Sequence, residues 1–184
     1  MTQREKYVPG PAKNGRVERE TDRWALVLVR ELRHAPALVW DALTDPAQLT
    51  QWAPFDADRN LGASGPVHLT TYGAAQPPAE CVVERAEAPK LLEYTWGGNH
   101  LRWELEATRT GTRLTLWAVI PKKFIAWGAA GWHICFEVLE RLLAGEPLGR
   151  ITGPDAMKHD WQRLTTEYAA QLGVELPNGK EASK

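Results

Sequence analysis

The alternation of apolar and polar residues predicts one strand and two short helices in the first third of the chain. Residues 24–29 are apolar on both faces and partly β-branched, which is typical of a buried strand. Residues 36–43 carry apolar side chains three and four positions apart after a proline, and residues 46–52 repeat this arrangement on a shorter scale. We therefore expect two short helices after the first strand, followed by a loop over residues 55–66.

Five later segments alternate with the period of a strand. Residues 100–107 are the clearest, because Leu101, Trp103 and Leu105 share one face while polar and charged side chains occupy the other. The four weaker segments are residues 67–71, 80–86, 91–96 and 113–120. Their short connections have the spacing of hairpins. The sequence therefore predicts an antiparallel meander of five strands, which the first strand joins.

The pattern becomes helical after Pro121. Residues 132–143 place apolar side chains at helical spacing with glutamate and arginine opposite, which predicts an amphipathic helix. Residues 145–154 hold several helix breakers, so an interruption is expected there before a second apolar stripe over residues 157–172. Helices gathered on one face of an antiparallel sheet make an α+β fold.

The chain is expected to form one domain between two polar segments. Residues 1–22 contain few apolar side chains, which predicts a flexible N-terminal arm unless a partner or the sheet edge holds it. Residues 23–172 form the predicted domain, and residues 173–184 form a polar C-terminal tail. A chain of 184 residues is long enough to bury one core without disulfide or metal support.

Charge and composition narrow the expected partners and compartment. The 22 Lys and Arg residues balance 23 Asp and Glu residues, so the net charge of −1 favours neither a nucleic acid nor an anionic membrane as a partner. No apolar run approaches the roughly 18 residues of a membrane span, and the polar start lacks the apolar stretch of a secretory signal. Cys81 and Cys135 form no C-x-x-C pair. We therefore expect a cytoplasmic protein.

The inventory of reactive residues gives little support to catalysis. The sequence contains no G-x-S-x-G turn, no P-loop, no G-x-G-x-x-G and no H-E-x-x-H, and its five histidines are scattered. No catalytic residue, metal ligand or cofactor is therefore predicted, and a protein without enzymatic activity is favoured. His133 and Glu137 share a helix face and are a weak polar candidate. A solvated ion pair is the favoured interpretation, since Glu140 and Arg141 lie beside them.

Three stretches of the sequence resemble one known family. The first reads Ala-Pro-Ala-Leu-Val-Trp-Asp-Ala-Leu-Thr-Asp-Pro over residues 35–46, the second is residues 92–96, and the third begins at Gly131-Trp132-His133. They resemble the bacterial family named after the activator of Hsp90 ATPase, a branch of the START-like or SRPBCC superfamily. The resemblance implies a helix-grip fold (START-like, Bet v 1-like), in which a curved antiparallel sheet of six or more strands wraps around a C-terminal helix.

The same resemblance implies a cavity between the sheet and this helix, and nine tryptophans supply broad side chains for its wall. The expected wall consists of Trp52, Tyr94, Trp96, Trp103, Leu105, Leu116, Trp127, Trp132, Phe136 and Leu139. The entrance is expected near Trp52, Trp127 and the small residues 128–131, which would permit a moving lid, with residues 55–56 on its rim. Periodicity alone leaves open whether these side chains surround a hollow or fill a core.

Three classes of function follow from these observations. The first is a protein that binds a small hydrophobic or aromatic ligand in the cavity. The second is an interaction protein that acts on an Hsp90-type chaperone, as the family name implies; it is disfavoured because no charged docking stripe is present. The third is an enzyme of the cyclase, hydrolase or lyase type, which START-like folds also host. A homodimer through an exposed sheet edge or the Trp127 segment stays open.

Overall fold

The computed structural model describes residues 2–20 and 22–176. The strands are β1 (Gly15–Glu20), β2 (Arg23–Leu32), β3 (Phe55–Ala57), β4 (Gly65–Thr71), β5 (Ala79–Glu87), β6 (Leu91–Trp96), β7 (Asn99–Thr108) and β8 (Gly111–Val119). The helices are α1 (Pro36–Thr44), α2 (Pro46–Trp52), α3 (Ile125–Leu143), α4 (Pro154–Met157) and α5 (Trp161–Leu172), with one 3₁₀ turn over Lys122–Phe124.

All eight strands form one antiparallel sheet in the order β1-β2-β8-β7-β6-β5-β4-β3. The five predicted strands of the meander are β4 to β8, and β2 joins them by pairing with β8. Helices α1, α2 and α3 pack together and against the sheet, and α5 packs on α3 and β1. The α+β prediction and its helix-grip arrangement are confirmed.

The N-terminal segment adds a strand that the pattern of apolar residues did not predict. Residues 15–20 pair with β2 along their whole length, from Gly15 opposite Leu28 to Glu20 opposite Arg23. The sheet edge therefore holds residues 15–20 of the predicted arm, which was the alternative to a flexible segment. Its charged residues suit an edge strand, because they discourage further pairing, but they also hide the strand from a search for apolar alternation. The start of the sheet moves from Trp24 to Gly15.

Two further boundaries differ from the predictions. The loop expected over residues 55–66 begins with the short strand β3, which pairs with the end of β4. The helix expected from Trp132 begins seven residues earlier, so residues 128–131 lie inside α3 and do not form a loop lid. Ala129 and Ala130 are fully buried. Burial overrides the low helix propensity of the two flanking glycines, and an all-apolar stretch shows no amphipathic stripe.

The interruption predicted after the first long helix is confirmed. Helix α3 ends at Leu143, residues 144–153 are irregular, and α4 and α5 follow. Gly145, Gly149 and Gly153 have φ values between +56° and +77°, a conformation that glycine adopts without the penalty of a Cβ atom. The predicted C-terminal tail is described only as far as Leu176, and residues 177–184 lie outside the described residues. No described helix meets the length and hydropathy needed to cross a membrane.

An aromatic cluster fills the middle of the space between the sheet and α3. Trp103 is completely buried, and its ring lies edge-on to Trp52, Trp132 and Phe136 at centroid distances of 6.0, 5.4 and 5.9 Å. Its indole N–H donates to the Tyr94 hydroxyl at 3.1 Å. Such edge-to-face contacts add to the stability that the burial of the rings already gives. The dry face of the sheet is therefore a packed core at this position.

Replacing Trp103 by Ala is expected to lower the free energy of unfolding by about 3–5 kcal/mol, because it leaves a large hole among rigid rings. Urea unfolding followed by far-UV circular dichroism measures the loss. Trp117→Ala is the matched control, since this indole is half-buried beneath the Arg16 guanidinium; it should cost about 1 kcal/mol. Equal losses for the two variants would contradict a packed centre.

Candidate functional site

An apolar groove of about 370 Å³ opens at one end of the aromatic cluster. Its inner wall comes from the sheet and α3, and its outer wall comes from the chain after α3. The inner wall consists of Pro54, Trp96, Gly128, Gly131, Trp132 and Cys135. The outer wall consists of Ile151, Thr152, Gly153, Ala156, Met157 and Trp161. None of these twelve side chains is acidic, basic or an imidazole, so the groove favours an uncharged ligand.

Two indoles and two glycines shape the inner wall. Trp96 and Trp132 lie edge-on at 5.9 Å, and Trp132 continues the contact inward to Trp103. Gly128 and Gly131 are three residues apart, which places both on one face of α3. A Cβ atom built on Gly131 would meet only the Trp161 indole nitrogen, at 3.9 Å. The missing side chain at residue 131 therefore leaves free space in the groove.

The outer wall is held in place by two arginines. The Arg4 guanidinium donates to the Arg150 carbonyl at 2.7 Å and to the Asp155 carboxylate at 3.0 Å. The Arg150 guanidinium pairs with Asp56 and lies 4.5 Å from the Tyr72 ring centroid. Arg150 is only 8% exposed, so its charge needs these partners. The N-terminal segment and the rim of the sheet together clamp residues 150–155.

A second, polar cluster surrounds the weak candidate His133. The imidazole is completely buried, and its Nδ1 lies 3.1 Å from Arg30 Nη2 and 2.8 Å from the Tyr168 hydroxyl. A guanidinium can only donate, so Nδ1 accepts and Nε2 carries the proton. Nε2 then donates to Glu137 Oε1 at 3.0 Å. The solvated ion pair expected for His133 and Glu137 is wrong, because α5 and the N-terminal segment cover this face of α3.

Glu137 connects this cluster to the N-terminal segment. Its carboxylate also accepts from the Tyr7 hydroxyl at 2.8 Å and from the Gly10 N–H at 3.1 Å. Burial raises the pKa of Glu137, but the hydrogen bonds from His133 and Tyr7 outweigh it, so the pKa lies below its ordinary value. Burial and the adjacent Glu137 charge raise the pKa of Tyr7. Both carboxylate oxygens are used within the chain, which gives Glu137 a structural role.

Of the ten side chains predicted to form the cavity wall, only Trp96 and Trp132 line the groove. Seven lie in the buried core instead: Trp52, Tyr94, Trp103, Leu105, Leu116, Phe136 and Leu139. Trp127 packs against Phe124 and Trp161 beside the groove. These seven side chains form a packed core, not a cavity wall, because the large indole of Trp103 fills the centre of the space between the sheet and α3, which the prediction left open.

Eight of the twelve groove residues were not assigned to the site by the sequence analysis. Thr152, Ala156, Met157 and Trp161 belong to the outer wall, and their sequence pattern indicated only a helix start and an apolar stripe. Two of the residues expected at the entrance, Gly128 and Gly131, line the groove from within α3. Of the two residues expected on the rim, Phe55 is completely buried, whereas Asp56 is partly exposed and pairs with Arg150; neither lines the groove. Within residues 2–20 and 22–176, no group of three or more His, Cys, Asp or Glu side chains is placed to hold a metal ion.

Comparison with known proteins identifies the architecture. The model of the family described as "Activator of Hsp90 ATPase homolog 1-like protein" matches residues 33–144, which is more than half of the chain. No curated protein matches the sequence. The matched region contains the inner wall of the groove, while the outer wall and the N-terminal segment lie outside it.

Three solved structures illustrate the likeness. The conserved protein of unknown function EF2215 from Enterococcus faecalis is 20% identical with a TM-score of 0.65, covering 89% of this chain and 92% of that chain. CalU16 from Micromonospora echinospora is 19% identical with a TM-score of 0.62, covering 85% and 94%. The AHSA1-like protein from Aeromonas hydrophila is 18% identical with a TM-score of 0.56, covering 67% and 94%. At these identities the likeness establishes the fold alone.

Glu137→Gln is expected to lower the free energy of unfolding at pH 7 by about 1.5–3 kcal/mol, because an ionised acceptor of three donors is lost. The pKa of Glu137 is lowered from 4.5 in the fold, so its stabilising effect is complete above this value and disappears as the pH falls through the folded pKa. Urea unfolding between pH 7 and pH 3 should therefore show the two proteins converging in acid. The exposed Glu140→Gln is the control; a constant difference from wild type for Glu137→Gln would contradict the assignment.

Proposed function

Because this chain belongs to the family of activator of Hsp90 ATPase homolog 1-like proteins, we propose that it binds an apolar, ring-bearing small molecule in the groove between α3 and the α4–α5 segment. The observation that carries the proposal is the uncharged groove bounded by three indoles, those of Trp96, Trp132 and Trp161. Small-molecule sites are concave, mostly apolar and lined by aromatic side chains, with few polar groups. The groove has each of these properties.

The indoles favour a flat ligand over a branched one. Aromatic rings pair in offset or edge-to-face arrangements, and the Trp96 and Trp132 indoles, which lie edge-on to each other, both line the groove. Each Å² of apolar surface that a ligand buries here contributes about 25 cal/mol. A planar hydrocarbon skeleton therefore gains both area and ring contacts.

The walls of the groove are also preorganised. Its outer wall is fixed by Arg4 and Arg150, and its inner wall is backed by the aromatic core. A site whose walls are already ordered loses less conformational entropy on binding. The opening that Gly131 leaves gives the ligand space without a rearrangement of α3.

Native mass spectrometry of freshly purified protein tests the proposal. We expect an additional mass of a small organic molecule under native conditions, compared with the denatured chain. Gly131→Leu should remove this mass, because the side chain occupies groove space beside Trp161. The variant should be at least as stable as wild type, since replacing a glycine inside a helix gains roughly 0.5–1 kcal/mol.

Gly131→Ala is the matched control, because it gives a similar gain in helix propensity but adds one methyl group only. It should retain most of the bound molecule. The proposal would be contradicted if wild-type protein showed no added mass and no rise in melting temperature with naphthalene. Function would then be sought in protein partners, including the chaperone that the family description names.

A further inference from the structure

The outer wall of the groove contains one buried polar atom that lacks a partner. Thr152 is 9% exposed and lines the groove, and its hydroxyl Oγ1 has no hydrogen-bond partner among the described residues. Buried hydroxyl groups are almost always paired, because the loss of water is otherwise uncompensated. An unpaired hydroxyl in the wall of a groove therefore marks a place where a ligand atom completes the bonding.

The backbone of Thr152 is fixed, so the hydroxyl is presented from a rigid position. Its carbonyl accepts from the Asp155 N–H at 3.2 Å where α4 begins. The Arg4 and Arg150 contacts hold the residues on either side. Threonine has staggered positions about Cα–Cβ. Rotation about this bond turns the hydroxyl toward an acceptor in the groove without movement of the backbone.

The indole N–H groups of the groove point to the same kind of ligand atom. Trp96 donates to the Thr71 hydroxyl at 3.1 Å and is satisfied. The structure gives the N–H groups of Trp132 and Trp161 no acceptor in residues 2–20 and 22–176. An indole nitrogen can only donate, and a threonine hydroxyl can donate as well. The groove therefore presents N–H and O–H hydrogen-bond donors, which favour a ligand that carries an acceptor oxygen.

That oxygen belongs to an uncharged molecule. The lining has no cationic side chain to balance a carboxylate or a phosphate. Burial raises the pKa of the Cys135 thiol to about 12, so this group is neutral as well. The nearby Arg150 guanidinium does not line the groove; its Nη2 donates to Asp56 and to the carbonyls of Leu49 and Phe55, while its buried Nε has no partner among the described residues.

We propose that Thr152 determines the specificity of the groove, and that the ligand is an uncharged aromatic ketone or ether of two or three fused rings whose oxygen accepts a hydrogen bond from Thr152 Oγ1. This inference rests on the proposed binding function and narrows it to one chemical class. The groove volume of about 370 Å³ suits this size, being near the lower end of small-molecule sites. Since Thr152 lies outside residues 33–144, the selection comes from the segment that follows the family domain.

Two probes of equal shape test the inference. 2-Acetylnaphthalene and 2-isopropenylnaphthalene differ only in the replacement of a carbonyl oxygen by a methylene group. Their dissociation constants are measured by equilibrium dialysis with wild type, Thr152→Val and Thr152→Ser. Relative to wild type, Thr152→Val should shift the ratio of the two constants about tenfold toward the hydrocarbon, the size expected for one hydrogen bond. Thr152→Ser keeps the hydroxyl and should keep the wild-type ratio.

The outcomes distinguish a failure of the proposed role of Thr152 from a failure of the proposed binding function. If both probes bind and Thr152→Val leaves the ratio of their dissociation constants unchanged, the role of Thr152 is overturned while the binding function stands. Neither probe binding to wild type would overturn both. The melting temperature of unliganded Thr152→Val should equal or exceed that of wild type, because an unpaired buried hydroxyl is removed. A fall of several degrees would show an internal partner for the hydroxyl and would overturn the inference.

Discussion

The packing of one indole decides how much of the space between the sheet and α3 is filled. Trp103 projects from the middle of the sheet and meets Trp52, Trp132 and Phe136 edge-on, while its N–H is satisfied by the Tyr94 hydroxyl. Rings packed at crystal-like density leave no space for a ligand between them. Helix α3 is thereby set at a fixed distance from the sheet, and the free volume lies beyond Trp132, at the end of the cluster. The groove is a consequence of this filled centre.

A buried polar network fastens α5 and the N-terminal segment to α3, in addition to the Arg4 and Arg150 contacts that hold the outer wall. Arg30 is 5% exposed and donates to His133, and His133 donates to Glu137, which accepts from the N-terminal segment. The His133 imidazole joins the buried Arg30 cation to the partly buried Glu137 carboxylate, so two hydrogen bonds connect the two charges. Tyr168 brings α5 into the same network. The chain before β1 and the chain after α3 are therefore locked together, and the segment that carries Thr152 and Trp161 is held against the family domain.

The two walls of the groove come from different parts of the chain. The inner wall lies within the region that the family model matches, and the solved structures compared above share that architecture at low sequence identity. The outer wall lies in the C-terminal segment, where a short helix and one threonine face the indoles. One fold can carry different functions when the residues at its sites differ. In this chain the closing segment supplies the polar atom, and the scaffold supplies the apolar surface.

The sequence by itself determined the fold class, the meander β4 to β8 and the break after α3, because these follow from local periodicity and from glycine and proline. It also indicated Trp96 and Trp132 as wall residues. It did not indicate β1, whose charged edge residues lack apolar alternation, or the first two turns of α3, which are apolar on every side. Alternation shows which face of a strand is dry. Whether the space above that face is full depends on how Trp103 packs against three rings from α2 and α3. Whether Thr152 finds a hydrogen-bond partner depends on residues far away in the chain. Only the tertiary structure decided these two points, because both are set by contacts that sequence spacing does not encode.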